Sequence, residues 1–147
     1  MNELKKQLYK SCLDSINRRI NTAREAMLEA QEAANEDDKS SAGDKHETSL
    51  AMIQLEVENM AKNLKEVENI KAVLLGINPD KPNTIVGPGA AVETSNGKFY
   101  IAIAAGKIDH DYFAISMSSP IGQVLKGLKE GEKAEFNGKE FKILSIT

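Results

Sequence analysis

Residues 50–76 read LAMIQLEVENMAKNLKEVENIKAVLLG, and the spacing of their apolar positions decides the first half of the fold. Leu50, Ile53, Val57, Met60, Leu64 and Val67 recur at steps of three and four, with Leu74 one heptad beyond. That period marks the seam of a coiled coil. Towards the N-terminus, Leu13, Ile16, Ile20, Ala23, Met27, Ala30 and Ala34 keep the same period. No proline falls between Asn2 and Leu75, and Gly43 is the one glycine there. Between the two seams lies Asn35-Glu36-Asp37-Asp38-Lys39-Ser40-Ser41-Ala42-Gly43-Asp44, which is polar and rich in turn formers. Two helices joined by a short polar connection predict an antiparallel hairpin. Each arm of about 30 residues would run roughly 45 Å. No third long helix follows to complete a bundle, so the hairpin reads as a finger.

Gly76-Ile77-Asn78-Pro79-Asp80-Lys81-Pro82-Asn83 ends the helical half, because glycine caps a helix and proline prevents its continuation. The period then changes to that of short strands. Thr84-Ile85-Val86 and Ala90-Ala91-Val92-Glu93 are candidates, followed by an Asn96-Gly97 hairpin turn and Lys98-Phe99-Tyr100-Ile101-Ala102-Ile103. A second turn, Asn137-Gly138, separates residues 132–136 from the closing strand 140–146. Between the hairpins, Ser119 as N-cap and Pro120 at the first position open a short helix. The reading is an α+β chain. Residues 1–76 form an antiparallel coiled-coil hairpin with an acidic tip near 35–47. Residues 77–147 form a small antiparallel-sheet domain with one short helix, of a size that gains from packing on the hairpin base.

The chain has 147 residues, 41% hydrophobic and 28% charged, with 5% aromatic residues and no Trp. These fractions suit one folded domain with an extension. No apolar run approaches the roughly 20 residues of a membrane-spanning helix. No secretory core follows the N-terminal Met-Asn-Glu-Leu-Lys-Lys, which points to the cytoplasm. The single Cys12 excludes an internal disulfide and a thiolate zinc site, and His46 and His110 are too few for a His-rich metal centre. Cys12 lies beside the seam and reads as a small packed side chain.

A net charge of −3 excludes a generally basic nucleic-acid coat. Placed along the chain, it is a near-cancellation. Residues 5–24 carry Lys5, Lys6, Lys10, Arg18, Arg19 and Arg24 against Asp14 alone, whereas residues 29–47 carry seven acids against Lys39 and Lys45. The 77–147 half sums to zero. The hairpin therefore has a basic shaft and an acidic tip. At the tip, Asp44 and Glu47 stand three apart where the second helix begins. They form a capping box, or they share a hard divalent cation through carboxylate oxygens, and one residue could serve both ends. Two carboxylates alone bind Mg²⁺ weakly, so a partner would supply the remaining ligands. His46 lies between them on a solvated surface. Arg18, Arg19 and Arg24 either pair within the helix face or offer bidentate contacts to phosphate or carboxylate.

The combination resembles the bacterial Gre transcript-cleavage factors, GreA/GreB-like elongation factors with an N-terminal coiled-coil hairpin and a C-terminal FKBP-like domain. The clearest likeness is in residues 115–132, ISMSSPIGQVLKGLKEGE, and in the closing Phe141-Lys142-Ile143-Leu144-Ser145-Ile146. Val86-Gly87-Pro88-Gly89-Ala90-Ala91-Val92 is similar to the strand that opens the family's C-terminal domain. At the tip the family carries Gly-Asp-x-x-Glu-Asn, then Ala-Glu-Tyr. Gly43, Asp44 and Glu47 match in place, Thr48 replaces Asn, and Leu50-Ala51 replaces Glu-Tyr. The resemblance implies that the hairpin enters the secondary channel of bacterial RNA polymerase. Asp44 and Glu47 would then help hold a second Mg²⁺, shared with the polymerase active site, for hydrolysis of backtracked RNA in a two-metal mechanism. It implies no cofactor of the chain's own, no membrane, and no independent enzyme activity. It assigns contacts with the nascent RNA or the channel wall to Arg18, Arg19 and Arg24, and polymerase docking to Ser119, Pro120, Ile121 and Gly122. The departures at Thr48, Leu50 and Ala51 open a second reading, a Gre-like channel inhibitor without cleavage activity. Two others compete: a prolyl isomerase built on the FKBP-like half, and a coiled-coil chaperone-like hairpin.

Overall fold

In a computed structural model, the backbone is described for residues 2–39 and 44–147, and side chains for residues 3–36 and 49–147. The fold is a long N-terminal helical hairpin followed by a mixed-sheet domain. Helix α1 spans Asn2–Lys39 and helix α2 spans Asp44–Leu75. Packing divides the chain into two compact units, Met1–Ile16 with Lys71–Thr147, and Asn17–Ile70. The helix end at Gly76 is thus a boundary of secondary structure, while the packing boundary falls inside both helices.

In the unit Asn17–Ile70 the helices run side by side and antiparallel. Gln31, Ala34 and Asn35 share a surface groove with Gln54, Val57 and Glu58. Ile20, Ala23 and Val67 are buried, and Met27, Ala30, Ala34, Leu50, Ile53, Val57, Met60 and Leu64 are half-buried. These are the expected seam positions. Most stop at half burial because a helix pair has one interface and both flanks meet water.

The unit built from Met1–Ile16 and Lys71–Thr147 holds a six-stranded sheet. Its strands are β1 (Ala91–Thr94), β2 (Gly97–Ala102), β3 (Gly106–Lys107), β4 (Tyr112–Ser116), β5 (Lys133–Phe136) and β6 (Lys139–Ile146). Their order is β3-β4-β2-β1-β6-β5. One pair departs from the antiparallel expectation: β2 and β4 run parallel, with Phe99 opposite Phe113 and Ile101 opposite Ile115. After β2 the chain makes the two-residue β3, turns through Asp109–Asp111, and returns along β4, so β3 rather than β2 is the antiparallel neighbour. The turn uses two consecutive non-glycine residues at positive φ, His110 (60°) and Asp111 (62°).

The two Asn-Gly sequences make different turns. Asn137 and Gly138 take φ values of 52° and 77° between the paired Phe136 and Lys139, the left-handed pair a type I′ hairpin requires. At the first, Thr94 pairs with Gly97, so the loop is Ser95-Asn96 and neither has positive φ. Thr94 supplies the local bonds: its Oγ1 donates to the Gly97 carbonyl (2.7 Å) and accepts from the Asn96 amide (3.1 Å).

Helix α3 (Pro120–Leu125) lies over one face of the sheet. That core contains Val86, Ala90, Val92, Phe99, Ile101, Leu125, Phe141 and Ile143, with the Phe99 and Phe141 rings 6.0 Å apart and tilted by 55°. Strand alternation sends Tyr100, Ala91 and Ala114 to the opposite face, where they are also buried. The first four turns of α1 serve this second core. Leu8, Cys12 and Ile16 are fully buried, whereas Leu13, expected in the seam, is half-buried. The Tyr100 hydroxyl lies within electrostatic reach of Cys12 and Tyr9.

Lys5 is the largest departure from the sequence expectation. It counts towards the basic shaft, yet it is fully buried. Its Nζ donates to the Lys81 carbonyl (2.6 Å) and to Asn83 Oδ1 (2.8 Å), and Asn83 Nδ2 donates to the Pro88 carbonyl (3.3 Å). Burial holds its pKa below the usual lysine value. Lys6 pairs with Asp80 at 3.6 Å. Ser11 Oγ accepts from the Asp109 amide (3.4 Å), and the His110 ring Nε2 donates to Gln7 Oε1.

Burial against the sheet gives Leu8 a role that its place in a coiled-coil helix would not suggest. Leu8→Ala should cost about 2–4 kcal/mol in urea denaturation. Leu28→Ala, at an exposed position of the same helix, should stay within about 0.5 kcal/mol. Cys12 offers a pH test. Burial pushes its thiol up to about 12 from an ordinary 9.0. The folded state therefore favours the neutral thiol, and this stability is complete below pH 9.0 and lost as pH rises towards about 12. The denaturation midpoint should fall across that window, and fall less in Cys12→Ala. Tyr100 and Tyr112, both raised by burial, add to that fall, and Lys5, lowered by burial, opposes it.

Candidate functional site

The tip carboxylates are placed by backbone alone. Helix α2 opens at Asp44, so Asp44 and Glu47 fall in its first helical turn. Residues 40–43, including Gly43, and the side chains of residues 37–48, including His46 and Thr48, lie outside the described residues. Whether Asp44 and Glu47 cap the helix or converge on a cation therefore lies outside them too. Among the described residues there is no group of three or more His, Cys, Asp or Glu side chains placed to hold a metal ion. Beside the tip, Leu50 is half-buried in the seam and Ala51 is exposed. Met52 and Leu55, large apolar residues on the same arm, are exposed at 68% and 58%.

Arg18, Arg19 and Arg24 are all exposed. Among the described residues no ion pair engages them: the pairs are Lys6–Asp80, Lys98–Glu93, Lys107–Asp111 and Lys133–Glu140. They do not share one face, however. At about 100° per residue, Arg18 points away from the Ile16–Ile20–Ala23 seam, and Arg19 and Arg24 flank it on opposite sides. Two exposed bases on α2, Lys62 and Lys65, add to this girdle. The register set by Ala34 beside Val57 brings Lys65 about level with Arg24. Sequence counting along one helix misses them because they come from the returning arm.

The segment Ser119-Pro120-Ile121-Gly122 is shaped by the fold itself. Ser119 Oγ donates to the Ser116 carbonyl (2.7 Å) and accepts from the Gly122 amide (3.1 Å), closing the N-cap of α3. Pro120 occupies the first turn, where no backbone donor is needed. Ile121 packs on the core. Gly122 is buried, and a Cβ there would fall 2.4 Å from the Ser116 carbonyl oxygen and 2.9 Å from that of Met117. Of the four, only Pro120 is exposed.

Beside this segment is an apolar groove of about 430 Å³, between the last turn of α2 and the ends of β2 and β4. Val73, Ile77, Pro88, Ile101 and Met117 line it, with Ser116 and Ser118, whose hydroxyls are 3.1 Å apart. No aromatic ring lines it. Phe99, Tyr100, Tyr112 and Phe141 are buried and Phe136 packs on the core, which leaves Phe113, 46% exposed. Among the described residues no helix is long and apolar enough to cross a membrane.

No protein-family model matches the chain, and no curated protein sequence matches it. Two solved structures are similar over most of its length. The GreA factor homolog 1 (Gfh1) of Thermus thermophilus is 19% identical, covering 91% of this chain and 93% of its own, with a TM-score of 0.36. A structure of the transcription factor Gfh1 is 20% identical, covering 93% and 94%, with a TM-score of 0.38.

The α3 cap separates fold from surface. Ser119→Ala should cost about 1 kcal/mol, the loss of one N-cap bond, with the native sheet spectrum retained. Gly122→Ala should cost at least about 2 kcal/mol, because the obstructing atoms are backbone carbonyls that cannot rotate away. Thermal denaturation of both variants checks the ranking.

Proposed function

We propose that this protein is a transcription elongation factor that binds bacterial RNA polymerase, enters the secondary channel with its helical hairpin, and stimulates cleavage of backtracked RNA. The observation that carries the proposal is the opening of α2 at Asp44. It sets Asp44 and Glu47 in one helical turn where helices of 38 and 32 residues join. The sequence likeness at Gly43-Asp44-x-x-Glu47 and at residues 115–132 supports the reading.

In this reading the polymerase performs the hydrolysis. A water oxygen bonds to the phosphorus, the bond to the 3′ oxygen of the upstream fragment breaks, and that oxygen takes up a proton. A divalent ion shared with the polymerase would orient the attacking oxygen and stabilise charge on the phosphate. Asp44 and Glu47 contribute two negative oxygen donors and leave the other ligand positions to the polymerase. The girdle of Arg18, Arg19, Arg24, Lys62 and Lys65 offers phosphate contacts to extruded RNA or acidic contacts to the channel wall. Polymerase docking falls to the Ser119–Gly122 segment in this reading.

The exposed Ala51 favours a second reading. It stands where the resembled family carries a tyrosine, so the tip lacks that ring, and a channel-occupying inhibitor without cleavage activity fits the same architecture.

Stalled, backtracked complexes of the cognate polymerase should shorten their RNA faster when the protein is added. Asp44→Asn with Glu47→Gln should abolish the stimulation and leave polymerase binding intact. Equal cleavage by that double variant would reject the carboxylate role. No stimulation by the wild type, together with slowed nucleotide addition, would select the inhibitor. The salt dependence of binding to single-stranded RNA tests the girdle. Each phosphate contact contributes about 0.7 to the logarithmic slope. Because the three arginines do not share one face, replacing all of them with Ala should flatten the slope by about 1.4 at most.

A further inference from the structure

No further inference is drawn: the strongest candidate, the apolar groove between the last turn of α2 and the ends of β2 and β4 that is lined by Val73, Ile77, Pro88, Ile101 and Met117, carries nothing because nothing in the structure shows what covers it.

Discussion

A sheet buried on both faces needs two covers, and the C-terminal half of this chain supplies only one. Helix α3 and the closing hairpin bury Phe99, Ile101, Phe141 and Ile143 on the first face. The second face presents Tyr100, Ala91 and Ala114, and the side chains that complete its core, Leu8, Cys12 and Ile16, lie on α1. The alternation of β2 dictates this need, since Tyr100 stands between Phe99 and Ile101 and must point away from both. A sheet domain cut off at residue 77 would leave that face to water. The packing boundary inside the helices follows directly.

Lys5 shows how tightly that second cover is fastened. An ammonium group taken out of water costs several kcal/mol unless its protons are satisfied. Here two neutral oxygens, on Lys81 and Asn83, accept from it. Asn83 passes the connection to Pro88. One side chain of the first helical turn thus fixes the linker that leads from α2 into β1, and the neighbouring Lys6–Asp80 pair adds a weaker exposed tie. The local sequence LKKQLY gives no sign that Lys5 is inside and Lys6 outside. Only the sheet-facing phase of Lys5, Leu8 and Cys12, three and four residues apart, separates them.

The same phase changes the electrostatics of the hairpin. Of the six bases counted in residues 5–24, Lys5 is internal and Lys6 is paired, so the free positive charge rests on Lys10 and the three arginines. Lys62 and Lys65 return with α2 and spread that charge around the helix pair. The result is a girdle rather than a stripe. A girdle tolerates many orientations of a phosphate chain, whereas a stripe would select one. Helix geometry, more than composition, decides which of these a count of basic residues describes.

The sequence by itself determined most of what depends on neighbours within about seven residues. The heptad positions fixed both helices and the half-buried face of α2. Asn137-Gly138 fixed a hairpin, and Ser119-Pro120 fixed the start of α3. Tertiary structure decided what depends on residues far apart in the chain. The parallel pairing of β2 with β4 needed β3 to take the antiparallel place. The turn before Gly97 is tied to the closing strand, where Ser95 Oγ and Asn96 Nδ2 donate to the Glu140 carbonyl. The burial of Lys5 rests on a partner 78 residues away. The groove joins segments near residues 73, 88, 101 and 117, none of which carries a signal alone. Periodicity and turn chemistry are local, whereas a side chain's burial depends on which distant surface closes over it.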